Sequence, residues 1–127
     1  MKKLLTFFFL LFVSTSFATH NRAGDITYRY IGTLSNPYQY EITVKTYTEW
    51  VGTSGTDKCE LNVHFGDGDT AIAPRVNGLS TNCTSPNRDG VLIGGCAGNI
   101  RMNVYVTSHN YDGPGNYIIT MEDHNRS

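Results

Sequence analysis

Period-two alternation limits this chain more than any other feature. In Tyr38-Gln39-Tyr40-Glu41-Ile42-Thr43-Val44-Lys45-Thr46-Tyr47, residues Tyr40, Ile42, Val44 and Thr46 fall on one side, while Gln39, Glu41, Thr43 and Lys45 fall on the other. Successive side chains of a strand point to opposite faces, so this split suits a sheet with one packed and one wet face. No stretch carries apolar residues at helical spacing over a convincing length. The same reading predicts strands at 25–31, 59–65, 71–73, 91–93, 100–106 and 117–121. In 59–65 it turns Cys59, Leu61, Val63 and Phe65 inward; Pro74 limits the strand before it to an edge or an early end. The segment 100–106 separates Ile100, Met102, Val104 and Val106 from Arg101, Asn103, Tyr105 and Thr107. Short strands with Gly, Pro and Asn turn signals between them predict an all-β, Ig-like antiparallel sandwich of about seven strands.

The first eighteen residues stand apart from that pattern. Lys2 and Lys3 precede an apolar run over 4–13 broken only by Thr6, and Ser16-Phe17-Ala18 offers a small-x-small cleavage site between Ala18 and Thr19. This is the layout of a secretory signal peptide. The run is roughly half of the ~20 residues a membrane-spanning helix needs, so no span is expected after cleavage. Residues 19–127 then form one domain, secreted or held at the cell surface. Two of the 10 Lys and Arg leave with the peptide, against 11 Asp and Glu, and no basic block remains. Nucleic-acid binding lacks its electrostatic footprint.

Export permits a disulfide among the 3 cysteines, Cys59, Cys83 and Cys96. One bridge and one free thiol allow three pairings. Cys83–Cys96 is favoured, because both lie in a Gly-, Asn- and Ser-rich excursion over 77–99 with little else to hold it. Closing such a loop contributes roughly 3 kcal/mol in the chain-entropy picture. Cys59 is expected as a small buried hydrophobe. The odd count also fits a partner cysteine beyond Ser127, in a longer protein of which this chain is the N-terminal piece. No Cys-x-x-Cys or paired-His spacing suggests zinc.

Two stretches carry the distinctive chemistry: His64-Phe65-Gly66-Asp67-Gly68-Asp69 and His109-Asn110-Tyr111-Asp112-Gly113-Pro114-Gly115-Asn116-Tyr117. Asp67 and Asp69, two apart, could both reach calcium through oxygen, yet the EF-hand spacing and its closing Glu are absent. A tight turn with glycine at positive φ is the preferred reading, and no cofactor is expected. A catalytic His109 would need an orienting carboxylate and a nucleophile, and no enzymatic motif accompanies it. Tyr28, Tyr30, Tyr38, Tyr40, Tyr47, Trp50, Tyr105, Tyr111 and Tyr117 could stack on sugars. Strand propensity explains the same rings as half-buried packing.

Phe65-Gly66-Asp67-Gly68, His109 and Tyr111, and Pro114-Gly115 followed by Tyr117 together resemble the signature of PKD domains. These are Ig-like sandwiches of secreted and surface proteins. A second resemblance spans most of 19–127: Thr19-His20-Asn21-Arg22-Ala23-Gly24-Asp25-Ile26-Thr27-Tyr28-Arg29, then Tyr40 to Thr48, Asn99 to Tyr105, Tyr111 to Tyr117 and Met121-Glu122-Asp123. It is to the N-terminal regions of large gliding-motility-associated proteins of Gram-negative bacteria. The resemblance implies export by the type IX route, a structural role for His109 and Tyr111 at one end of the sandwich, and no catalytic residues. The 77–99 excursion is longer and richer in cysteine than that family usually shows. The expected function is a non-catalytic spacer or adhesion module, partnered by other domains of a longer chain and by surface glycans or proteins. The alternative is a carbohydrate-binding module, calcium-assisted, serving polysaccharide degradation.

Overall fold

The computed structural model describes residues 21–49, 57–78, 90–94 and 99–122. The Ala18/Thr19 junction, Trp50, Cys83 and Cys96 lie outside these residues. The described strands are β1 (Asn21–Tyr30), β2 (Gln39–Glu49), β3 (Glu60–His64), β4 (Thr70–Pro74), β5 (Val91–Gly94), β6 (Ile100–Asn110) and β7 (Thr120–Met121). They form two antiparallel sheets, ordered β1-β2-β6-β5 and β4-β3-β7. The protein is an all-β sandwich.

Each sheet is organised around its alternating central strands. β2 pairs with β6 in unbroken register from Gln39↔Asn110 to Glu49↔Ile100. Ile42, Val44, Thr46 and Thr48 of β2 are buried and their neighbours only partly so, as the alternation predicts. Ile42 and Val44 cluster with Leu61 and Val63 of β3, Phe65 just beyond it, and Ala73 of β4. Fully burying an aliphatic or aromatic side chain contributes about 1.5–3 kcal/mol, so this layer supplies the main driving force for folding.

β6 turns its less apolar face inward. Asn103 and Tyr105 are buried, whereas Met102, Val104 and Val106 are half-buried on the outer side. The register decides it, because Tyr105 lies opposite core residue Val44 and Asn103 opposite Thr46. The polar atoms find partners there. Tyr105 Oη donates to the Lys58 carbonyl at 2.8 Å. Burial raises the Tyr105 phenol from 10.0 to about 12. A raised pKa keeps its contribution intact below the unfolded value and loses it as the folded group ionises. Melting temperature is therefore expected to fall between about pH 10 and 12, with a shallower fall in Tyr105→Phe. An unchanged alkaline slope in that variant would assign the effect to other groups.

Three sequence expectations need correction. Cys59 is half-buried and disulfide-bonded rather than a buried free thiol. Tyr28 and Tyr30 are not packed into the core. They pair with Ile42 and Tyr40 and so share the inner face, but remain 71% and 56% exposed because the described strands of the second sheet leave that end of β1 uncovered. Finally, β7 begins only at Thr120; Tyr117 instead folds back, its hydroxyl donating to the Gly113 carbonyl at 2.9 Å.

The 77–99 excursion is tied to the sandwich at both described ends. The Asn77 amide donates to the Met102 carbonyl and accepts from the Val104 N–H, both at 2.8 Å, imitating a neighbouring strand. Further on, β5 pairs with β6, with a shift between Leu92 and Gly94.

Candidate functional site

The two distinctive stretches converge at one end of the sandwich. Leaving β3, the chain turns at Gly66 and Gly68, whose φ angles of 87° and 104° suit residues without a Cβ. The turn is closed by Phe65 N–H to the Asp69 carbonyl and by Asp69 N–H to Asp67 Oδ1, each at 3.0 Å. β6 runs four residues further than its apolar pattern suggests because β2 partners it as far as Asn110, and this extension delivers His109. His109 Nε2 lies 2.6 Å from Asp67 Oδ2.

Ring packing surrounds that pair. His109 stacks on Phe65 with centroids 4.1 Å apart and planes within 3°, and meets Tyr111 edge-on at 4.5 Å. Tyr111 stacks on Tyr117 at 4.0 Å, and its hydroxyl donates to the Phe65 carbonyl at 3.0 Å. Burial raises the Tyr111 phenol, consistent with a neutral donor. Every signature residue is thereby placed. Phe65, Gly66, Asp67 and Gly68 form the turn, His109 and Tyr111 close over it, and the exposed Pro114 and Gly115 carry the chain to Tyr117.

The Asp67–His109 contact is half of a catalytic possibility, since an acid-oriented histidine can act as a base. Among the described residues no hydroxyl or thiol hydrogen-bonds to His109, whose ring is covered by Phe65 and Tyr111. Nor does the turn resemble a calcium cradle. Asp67, Asp69 and His109 have ligand atoms within 4.8 Å of one another, but both Asp67 oxygens already accept hydrogen bonds and the third group offers nitrogen. Calcium takes 6–8 oxygen ligands.

The hydrogen bond from His109 lowers the Asp67 carboxyl pKa; desolvation opposes this, and the Asp69 amide and the His109 charge reinforce the lowering. A depressed pKa stabilises the fold above the unfolded value near 3.8 and ceases to do so as pH falls through the folded value. Acid unfolding of His109→Gln is expected to be less steep below that point. An identical acid limb would show that the contact does not couple to folding.

A second feature lies beside this closure. A groove of about 470 Å³ is lined by Tyr28, Tyr38, Tyr40, Tyr111 and Tyr117 together with the turn at 113–119. Tyr40 is its hub, meeting Tyr28, Tyr30 and Tyr111 edge-on at 6.0, 5.5 and 6.0 Å.

Sequence reasoning missed one residue entirely. Asp57, in what reads as a polar loop, is buried and accepts hydrogen bonds from Thr48 Oγ1, from Asn103 Nδ2 at 2.7 Å and from the Gly90 N–H at 3.0 Å. Arg101 Nη1 approaches it at 3.8 Å. The available signal was indirect: Arg101 and Asn103 share the Tyr105 face of β6 and needed a buried acceptor.

No protein-family model matches the chain, and no curated protein or solved structure is significantly similar to it.

Proposed function

We propose that this chain is a non-catalytic, PKD-like β-sandwich module, exported by its signal peptide and acting as an adhesion or spacer domain at the cell surface. One observation carries the reading. The residues that make the sequence distinctive converge on a single closure, where turn hydrogen bonds, ring stacks and the Asp67–His109 contact occupy them in holding the fold. Groups already committed to structure are poorly placed to do chemistry. The basic n-region, apolar run and Ala18 cleavage site support export. A bridge at Cys59 suits an oxidising compartment.

The test is retention of the labelled protein on intact gliding bacteria and on surfaces coated with their shed polysaccharide. Adhesion predicts that label survives washing and that His109→Gln lowers the melting temperature without affecting retention of folded protein. Turnover of an ester, peptide or glycosidic substrate, abolished in a folded His109→Gln variant, would overturn the non-catalytic assignment. Complete wash-off would remove adhesion and leave only a spacer.

A further inference from the structure

We infer that the tyrosine groove is a binding site for a neutral glycan. The inference rests on the adhesion reading and names its ligand class. Three properties of the groove point the same way.

The lining is uncharged, being built from tyrosine, glycine, proline, asparagine and isoleucine. Phosphate, carboxylate and sulfate ligands are ordinarily met by Arg, Lys or oriented backbone N–H groups. Nothing charged in the wall would compensate an ionic ligand for lost water.

The hydrogen-bonding capacity of the wall is partly spent and partly available. Tyr111 and Tyr117 donate their hydroxyls to the Phe65 and Gly113 carbonyls. Tyr28, Tyr38 and Tyr40 make no side-chain hydrogen bond to the described residues, and Asn116 stands exposed at the rim. A phenol both donates and accepts, and an amide presents both functions side by side. Sugar hydroxyls require that mixture.

The apolar part of the wall is held in place. Tyr40 is fixed by its three edge contacts and Tyr111 by its stack on Tyr117. Tyr28 stays 71% exposed. A pyranose presents an apolar C–H face bordered by hydroxyls, which matches a ring face bordered by phenols and an amide. Ordering these rings beforehand lowers the entropic cost of binding. A peptide strand also carries backbone donors and acceptors, so it enters the test as the competing occupant.

The experiment is isothermal titration of the purified protein with laminarin, mannan, xylan and dextran. Alginate serves as the charged control, and a peptide of alternating threonine and valine as the strand control. Saturable binding of at least one neutral polysaccharide is expected, insensitive to added salt up to about 0.5 M because no charge pair is involved. Tyr28→Ala is expected to weaken it about tenfold, the scale of one lost aromatic contact, with only a small fall in melting temperature from the lost edge contact with Tyr40. Asn116→Ala should weaken it without affecting stability.

Silence with all four neutral polysaccharides would overturn the inference. So would full binding in both variants, preference for alginate, or saturation by the peptide, which would make the groove a strand acceptor. Failure here combined with retention on cells would leave adhesion standing through another surface. Glycan binding without retention would sink adhesion and keep the groove.

Discussion

Gly66→Ala is expected to destabilise the protein by about 3 kcal/mol or more, a fall of roughly 10–20 °C in melting temperature for a domain of this size. Two effects combine at this position. A φ of +87° strains any residue with a Cβ, and a Cβ there would sit 2.6 Å from the Ile118 nitrogen and 2.7 Å from its oxygen. Both are backbone atoms of the segment leading into β7, so no rotamer relieves the clash. Gly68 supplies the control. Its φ is +104°, yet nothing lies within 4 Å of its Cβ position. Gly68→Ala should therefore cost only the conformational strain, about 1–2 kcal/mol. Urea unfolding of the two variants separates strain from close approach. Equal losses would mean that the chain following Tyr117 yields to the added methyl, and that the two stretches are not locked together at this end.

That locking explains how far the sequence could be read. β2 was legible because every second residue reports its own burial, and Ile42, Val44, Thr46 and Thr48 are buried as the period requires. The Gly66–Gly68 turn was legible because glycine at positive φ is a local requirement. The Asp67–His109 contact joins residues 42 apart, and no local rule connects them. β6 shows the opposite limit. Its apolar residues suggest one inner face, but the register with β2 puts Asn103 and Tyr105 there, a choice set by a neighbouring strand. Tyr28 and Tyr30 depend on what covers β1. Coverage is a property of the second sheet and leaves no trace in the strand that lacks it. The groove was therefore the least legible part of the molecule, although every ring in it was visible as a residue.

Asp57→Ala is expected to be the other large loss, about 3–5 kcal/mol, the scale for removing one member of a buried charged cluster. The carboxylate serves four neighbours: the Thr48 hydroxyl, the Asn103 amide, the Gly90 N–H and Arg101. Its removal leaves Asn103, which is fully buried, with an amide N–H that water cannot reach. Room for rearrangement is limited, because a Cβ at Gly90 would already sit 2.8 Å from both Asp57 Oδ2 and Asn103 Oδ1. Asp57→Asn keeps the volume but aims a donor at groups that themselves donate, so an intermediate loss of roughly 1–3 kcal/mol is expected. Arg29→Ala is the contrasting case. It breaks the Arg29–Glu41 pair, 2.9 Å long but exposed, and should cost at most about 1 kcal/mol. Adding Asn103→Ala to Asp57→Ala should cost less than the sum of the single changes, because the second removes the group that the first left unsatisfied. Hydrogen exchange at the Gly90 amide should quicken in every Asp57 variant, since that N–H joins the 77–99 excursion to the core through Asp57 alone among the described residues. A loss for Asp57→Ala no greater than that for Arg29→Ala would mean that solvent enters the cluster freely. The inward polar face of β6 would then be tolerated by the fold without contributing to it.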